Sequence, residues 1–458
     1  MLAQQLASAV NAATRPFCPH TPHPRQAEFL ALDEEEAFYG GAGGGGKSDA
    51  LLMAALQYVH VPNYNALLLR RTFRALNEPE AIMARADSWL RGNPRCKWEG
   101  EEKQWRFLES NATLGFGYFD AARDRDNYQG GAYQFIGWDE LTQFPSGYYT
   151  YMFSRLRKPK DGPLSQVPLR MRGAANPGGI GHEWVFRRFV DPKTARARFI
   201  PAKLADNPSV DAASYLAMLD RADSTTARQI RDGIWVRDSS GLVYAFDADR
   251  NIAPRPADIL GSPWVYVAAM DFGVTDATAF SVLAWRLNDP RVFVVESYKR
   301  RGMSPSAAAE EYLRLDAKYH FGRVVGDLGG LGKAFGEEMR DRFSVPIEPA
   351  DKQNKRGYIS LLNGDLERGR IILAPGTTDE LRDEWFELPW KDDSHTAEAD
   401  GFENHCADAT LYGWRACPNY HERVPSTHRE TDAERIDREM DEFHEREEQR
   451  AKGNWWER

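Results

Sequence analysis

Gly41 to Ser48 reads GAGGGGKS, and the reading of the whole chain turns on this stretch. It satisfies the pattern G-x-x-x-x-G-K-[ST] in full. It lies between a strand-like run, EEAFYGG, and a run with apolar residues at helical spacing, SDALLMAALQYV. Glycines let backbone N–H groups close around phosphate oxygens, and the helix that follows turns its positive end toward the anion. The pattern therefore makes Gly41, Gly43, Gly44, Gly45 and Gly46 a phosphate cradle. Lys47 becomes the cation that reaches the β- and γ-phosphates, and Ser48 the hydroxyl that holds Mg2+. The ligand expected there is a nucleoside triphosphate.

Such a loop needs an acidic partner, and YQFIGWDE supplies one at the end of an apolar run. Asp139 is expected in the metal shell, and Glu140 is expected to orient or deprotonate the attacking water. NALLLRRT, ATLGFGYF and VPLRMRGAANPGG are further short apolar runs, each closed by a turn signal. Strands alternating with helices imply a mainly parallel sheet covered on both faces. The first expectation is thus an α/β P-loop NTPase domain over residues 1–237, with a linker over 238–262.

Composition sets the outer bounds. A chain of 458 residues suggests two or three domains at a prior of roughly 150 residues each. With 42% apolar, 28% charged and 12% aromatic residues it is neither disordered nor collagen-like. The net charge of -9 means that any nucleic-acid surface must be local. Cys18, Cys96, Cys406 and Cys417 form no CxxC pair, which argues against a zinc ribbon or disulfide framework and for a reducing compartment. No apolar run approaches the roughly 20 residues that span a bilayer, and the N-terminus lacks signal-peptide character. A soluble, cytosolic protein with no membrane partner is expected.

Beyond the linker, WVYVAAMDFG, ATAFSVLAWR and RVFVVESYKR read as three successive strands, an antiparallel meander. SPSAAAEEYLRLDAKY follows with helix features, and GRVVGDLGG returns to strand, so residues 263–418 form a mixed α/β domain. Asp271 and Asp327 end strand-like runs, and Asp408 lies in the helical NHCADATLYGWRA. Two-metal phosphodiester hydrolysis needs hard oxygen ligands on rigid elements, which this trio could provide. His405, one helical turn before Asp408, reads as an incidental surface histidine rather than a neighbouring proton handler, and Glu296, Asp276 and Asp400 read as solvated charges. The tail, 419–458, is dense in both charges and reads as a solvated helix or disordered extension.

In this order the motifs resemble those of the tailed-phage terminase large subunit, from about Pro19 to Cys417. In PHPRQAEFL, Gln26 matches that family's adenine-recognising glutamine. GWDELTQFPSGYYTYMFSRLR matches its Walker B segment, and in GAANPGGIGHEWVFRRF Asn176 matches the motif that couples hydrolysis to movement. DFGVTDATAF, VVGDLGG and HCADATLYG carry Asp271, Asp327 and Asp408 onto the metal ligands of an RNase H-like nuclease domain. The resemblance implies ATP-driven translocation of double-stranded DNA into a procapsid and cutting of concatemers. It also implies Mg2+ as cofactor, with Mn2+ as an alternative nuclease metal. The implied partners are a portal protein, a small terminase subunit and sister copies in a homo-pentamer, in the host cytoplasm during virion assembly.

Many relatives carry a basic residue inside the phosphate loop, whereas Ala42 to Gly45 offer none. Charge on the transferring phosphoryl group then needs another arginine, and Arg123, Arg125, Arg155 and Arg157 are the candidates. Arg155, Arg157, Lys158 and Lys160, and then Arg187, Arg188, Lys193, Arg196 and Arg198, are the densest basic stripes, and they read either as a grip on DNA phosphates or as the charged exterior of a lid subdomain. Two rival readings stand beside this one: a P-loop helicase-nuclease of DNA repair or defence, and a nucleotide-gated assembly protein with an inactive second half.

Overall fold

The computed structural model of the protein describes residues 16–219, 231–235, 241–261, 264–273, 277–287, 289–330, 332–392 and 394–417. The charged tail and Asp276 lie outside the described residues. Contacts divide the chain into two compact units. The first takes in residues 1–246, 355–364 and 380–407, and the second 247–354, 365–379 and 408–458.

The first unit is built on an eight-stranded sheet. Its strands are β1 (Glu36–Gly41), β2 (Asn65–Arg70), β3 (Cys96–Glu99), β4 (Gln104–Phe107), β5 (Thr113–Tyr118), β6 (Phe135–Asp139), β7 (Arg170–Ala175) and β8 (Arg198–Ala202). They lie in the order β3-β4-β5-β2-β6-β7-β1-β8. From β5 to β8 every pairing is parallel, while β3 and β4 add an antiparallel edge. No sequence pattern pointed to that edge hairpin, because its strands are only four residues each and mix polar with apolar side chains.

Parallel strands are covered on both faces, so alternate side chains go to two different cores. Ala37, Tyr39 and Leu68 enter one cluster with the helix Lys47–Leu56, while Phe38, Leu67, Leu69 and Trp138 enter the other. That helix is apolar nearly all round because it is buried nearly all round, from Ala50 to Leu56. In the second cluster Trp138 meets Phe144 edge-on at 4.8 Å and Phe119 stacked at 5.9 Å. Burying each large side chain contributes about 1.5–3 kcal/mol, and here it fixes the strand that delivers Asp139.

The second unit contains β9 (Val265–Asp271), β10 (Ala277–Trp285), β11 (Val292–Arg301), β12 (Arg323–Gly326), β13 (Ile347–Pro349) and β14 (Ile371–Leu373). Their order is β13-β12-β9-β10-β11-β14. β9, β10 and β11 form the expected antiparallel meander; β12 then pairs parallel with β9, and β13 parallel with β12. A parallel neighbour requires a crossover, and the helix Pro305–Tyr319 supplies it. Ser304 starts this helix by accepting the Ala307 N–H at 3.2 Å, and proline occupies its first turn. His320 ends it in the left-handed region, at φ 53°. The sheet's mixed α/β character agrees with the sequence expectation.

Candidate functional site

β1 delivers the glycine loop. Gly41 has φ 147°, and a β-carbon there would collide with the Ala202 carbonyl of the neighbouring β8. Gly46, at φ 74°, caps the helix Lys47–Leu56, and a β-carbon would lie 2.7 Å from Gln26 Nε2. Gln26 Nε2 donates to the Gly46 carbonyl at 2.9 Å, and its Oε1 accepts the His23 N–H at 2.8 Å. The residue expected at the adenine is therefore also a brace of the loop. Asn207 is a second brace, donating from Nδ2 to the Gly44 carbonyl at 2.8 Å. No sequence pattern pointed to Asn207, which lies far along the chain in an irregular stretch.

Lys47 is buried and folds back onto its own loop, donating to the carbonyls of Ala42 and Gly41. Burial pulls its pKa down to about 8, against the partial support of Glu140 and Asp139. Ser48 Oγ donates to Asp139 Oδ1 at 3.0 Å, so the loop hydroxyl and the acid of β6 meet as the sequence anticipated. Arg70, at the end of neighbouring β2, places Nη1 3.4 Å from Asp139 Oδ2. Burial raises the proton affinity of Asp139, and Arg70 is the strongest influence in the other direction. Arg70 was missed from the sequence, although NALLLRRT did put an arginine at a strand end beside the acid.

Glu140 follows in the left-handed region at φ 55°, an unusual backbone for a side chain with a Cβ. Burial, then the adjacent Asp139, raises its proton affinity; Lys47, Arg70 and the Asn176 N–H oppose the rise. Asn176 Oδ1 is buried with no hydrogen-bond partner among the described residues, and the Asn176 carbonyl accepts from Thr142 Oγ1 at 3.2 Å. A hydroxyl and a carboxylate in contact are hard oxygen donors of the kind Mg2+ prefers, and an orphaned amide oxygen nearby leaves polar capacity for a ligand. The residues present fit a nucleotide and its Mg2+.

The four arginine candidates have the following neighbours within the chain. Arg125 lies 5.6 Å from the ring centres of both Tyr148 and Tyr151, and Arg155 covers Tyr151. Arg157 donates to the carbonyls of Gly130 and Gly131 at 2.8 and 2.7 Å, and Arg123 is exposed. The second basic stripe needs a correction. Arg188 is paired with Glu36, while Arg187 pairs with Asp383 at 3.1 Å and Glu387 at 3.7 Å over the Phe386 ring. Both arginines pair with acids of the same chain, while Lys193, Arg196 and Arg198, with Arg157, Lys158 and Lys160, are solvent-exposed.

In the second unit the register brings the expected acids to one end of the sheet. Gly326 pairs with Met270 and the Asp327 N–H donates to the Met270 carbonyl, so Asp327 stands beside Asp271. Residues 408–416 pack across the meander: Thr410 bonds Ser281 at 2.8 Å, Gly413 lies against Ala269 and Leu283, and the Ala416 carbonyl accepts from Arg323. That sequence of contacts runs opposite to β9, which puts Asp408 at the Asp271 end. Gly413 permits the close approach, since a β-carbon would fall 2.9 Å from Ala269 Cβ. Among the described residues, however, no group of three or more His, Cys, Asp or Glu side chains is gathered closely enough to hold a metal ion. Asp327 is engaged by Lys352 instead, at 2.7 Å. The donor chemistry fits Mg2+ or Mn2+, but the trio is not closed around a common point. Asp400 is exposed and paired with Lys391. Glu296, read as a solvated charge, is buried and accepts from Tyr319 at 2.5 Å and from Lys318.

These features define a class: an α/β unit with a phosphate-loop sheet, joined to a mixed-sheet unit of RNase H-like topology. The HK97 bacteriophage large terminase shares the fold at 12% identity and a TM-score of 0.51, over 90% of this chain and 99% of that one. A large terminase from a thermophilic bacteriophage is 15% identical at a TM-score of 0.41, over 88% of this chain and 100% of that one. A large terminase nuclease from thermophilic phage G20c with bound magnesium is 18% identical at a TM-score of 0.31, covering 38% of this chain and 96% of that one. No family model matches the chain, and no curated protein matches it.

Proposed function

We propose that the protein is the large subunit of a viral terminase. On this reading it hydrolyses ATP to drive double-stranded DNA into a procapsid and cuts concatemeric DNA with a metal-dependent endonuclease. The observation that carries the proposal is the contact between Ser48 and Asp139 beneath the glycine loop, with Glu140 the next residue along. The N–H groups around Gly43, Gly44 and Gly45 receive the phosphates, and Lys47 leaves the loop carbonyls for the β- and γ-oxygens. Ser48 and Asp139 hold Mg2+, which supplies charge neutralisation on the phosphates when bound. Glu140, its proton affinity raised by burial, is suited to take a proton from the attacking water. Gln26 serves the adenine and Asn176 the coupling of hydrolysis to movement.

In the second unit Asp271, Asp327 and Asp408 are the residues that would hold Mg2+ or Mn2+ once drawn together, and the ion would supply activation of water and stabilisation of the leaving oxygen. The domain assignment proposed is an ATPase over 1–237, a linker over 238–262, a nuclease within 263–418, a span from which residues 355–364 and 380–407 group with the first compact unit, and a tail over 419–458. The partners proposed are DNA, a portal protein, a small terminase subunit and four sister copies in a pentamer, in the host cytoplasm during virion assembly. The test uses the full chain. Lys47→Ala is expected to abolish ATP turnover and leave Mn2+-dependent plasmid cutting intact, and Asp271→Ala to do the reverse. Loss of both activities in either folded variant would refute the separation. Unwinding of forked duplexes without packaging into procapsids would favour a helicase-nuclease.

A further inference from the structure

After β8 the chain turns back onto the glycine loop. Gly44 has φ 72°, and a β-carbon there would fall 2.8 Å from Leu204 Cδ1, 3.7 Å from Val210 Cγ1 and 3.8 Å from Tyr215 Cε1. With Asn207 bonded to the Gly44 carbonyl, the middle of the loop is covered by residues 204–215. Tyr215 lies in the first turn of the helix Ala212–Leu219. Asp211 fixes that turn: its carboxylate accepts from the Ser214 N–H at 3.3 Å and the Ser214 hydroxyl at 2.6 Å, and its carbonyl accepts the Tyr215 N–H at 3.0 Å. The ring is half-buried against the loop, yet its hydroxyl makes no hydrogen bond among the described residues. Burial, and then the negative charge of Glu140, raises the proton affinity of the phenol, so it stays an O–H donor at working pH.

A half-buried donor without an acceptor gains most from an anion. The loop it packs on is built to receive phosphates, and Glu140 is the residue placed for the water that attacks the terminal one. Gln26, the residue for the adenine, meets the loop at Gly46 instead. We propose that Tyr215 recognises the terminal phosphoryl group: its hydroxyl donates to a γ-phosphate oxygen of ATP, an acceptor that ADP does not offer. The inference rests on the reading of the glycine loop as a nucleotide site. A hydrogen bond to a charged acceptor is stronger than one between neutral groups. Tyr215 therefore favours the triphosphate over the diphosphate, and it holds the helix Ala212–Leu219 on the loop for as long as the γ-phosphate is present.

The measurement is calorimetric titration of the full chain with ADP and with a β,γ-imido analogue of ATP, which is not hydrolysed. Tyr215→Phe keeps the ring on Gly44 and removes only the hydroxyl. It is expected to weaken binding of the analogue about tenfold and to leave ADP within about twofold, with an unchanged melting curve. In the native chain, backbone amide exchange over residues 212–219 should slow with the analogue more than with ADP, and Tyr215→Phe should erase that difference. Equal weakening of both ligands would make Tyr215 a packing residue and overturn the inference. An unchanged preference for the analogue would overturn it too, and either result leaves the nucleotide site standing. If the native chain binds neither ligand, the reading of the glycine loop falls and takes the inference with it.

Discussion

If the glycine loop binds a nucleotide as proposed, Lys47 makes that binding a proton-linked event whose size can be worked out. Its ordinary pKa of 10.5 is pulled down to about 8 by burial in the nucleotide-free loop. A bound polyphosphate places several negative charges against the ammonium and restores the high value. At about pH 8.5 a group with a pKa near 8 is roughly three-quarters neutral, so binding should take up about 0.75 proton; at about pH 7 the uptake falls to about 0.1. Calorimetric titration of a fully ionised nucleotide in buffers of different ionisation enthalpy reads this number directly. Lys47→Arg should remove the pH dependence, because a guanidinium stays charged throughout. The same shift carries a stability statement. Between about pH 8 and 10.5 the unfolded chain holds a proton that the folded one has lost, so the stability of the nucleotide-free protein rises with pH across that window. Uptake that stays flat between about pH 7 and 9, or proton release on binding, would refute the account of a desolvated lysine.

Three further outcomes are expected. Arg187→Ala should destabilise the protein by about 2 kcal/mol in chemical denaturation, since Glu387 loses its cationic partner; Glu387→Gln in that background should restore part of the loss, and no restoration would mean that the pair contributes nothing. Gly413→Val should push residues 408–416 off the sheet at a cost of about 1–3 kcal/mol. Plasmid cutting should fall with ATP turnover retained, and equal loss of both would contradict the placement of Asp408. Ser48→Ala should raise the Mg2+ needed for half-maximal ATP turnover by about tenfold or more, and an unchanged Mg2+ dependence would remove Ser48 from the metal shell.

The glycine loop, its helix and the acid-tipped β6 were legible because each is a local pattern with a physical cause: φ angles open mainly to glycine, helical spacing of apolar residues, a buried run ending in acids. The meander before Asp327 was legible for the same reason. What stayed hidden is long-range. Asn207 and Arg70 reach the loop and Asp139 from distant or neighbouring segments, and nothing in their local sequence marks the partner. The basic stripe misled at Arg187 and Arg188 because a sequence shows charge but not its counter-charge; Glu36 and Glu387 lie far from them along the chain, on either side. Glu296 misled in the same manner, since burial of a carboxylate depends on Lys318 and Tyr319 folding over it.

The threading of the chain has a consequence for dissection. Residues 355–364 and 380–407 belong with the amino-terminal body, where Trp385 nests against Tyr244 and Phe246, and Ser146 donates to Glu387. A single scission near residue 246 would therefore not release two self-sufficient halves: the carboxyl-terminal piece would carry sticky aromatic surface meant for the other. Modular exchange between such proteins, in the laboratory or in evolution, has to move several cuts together rather than one.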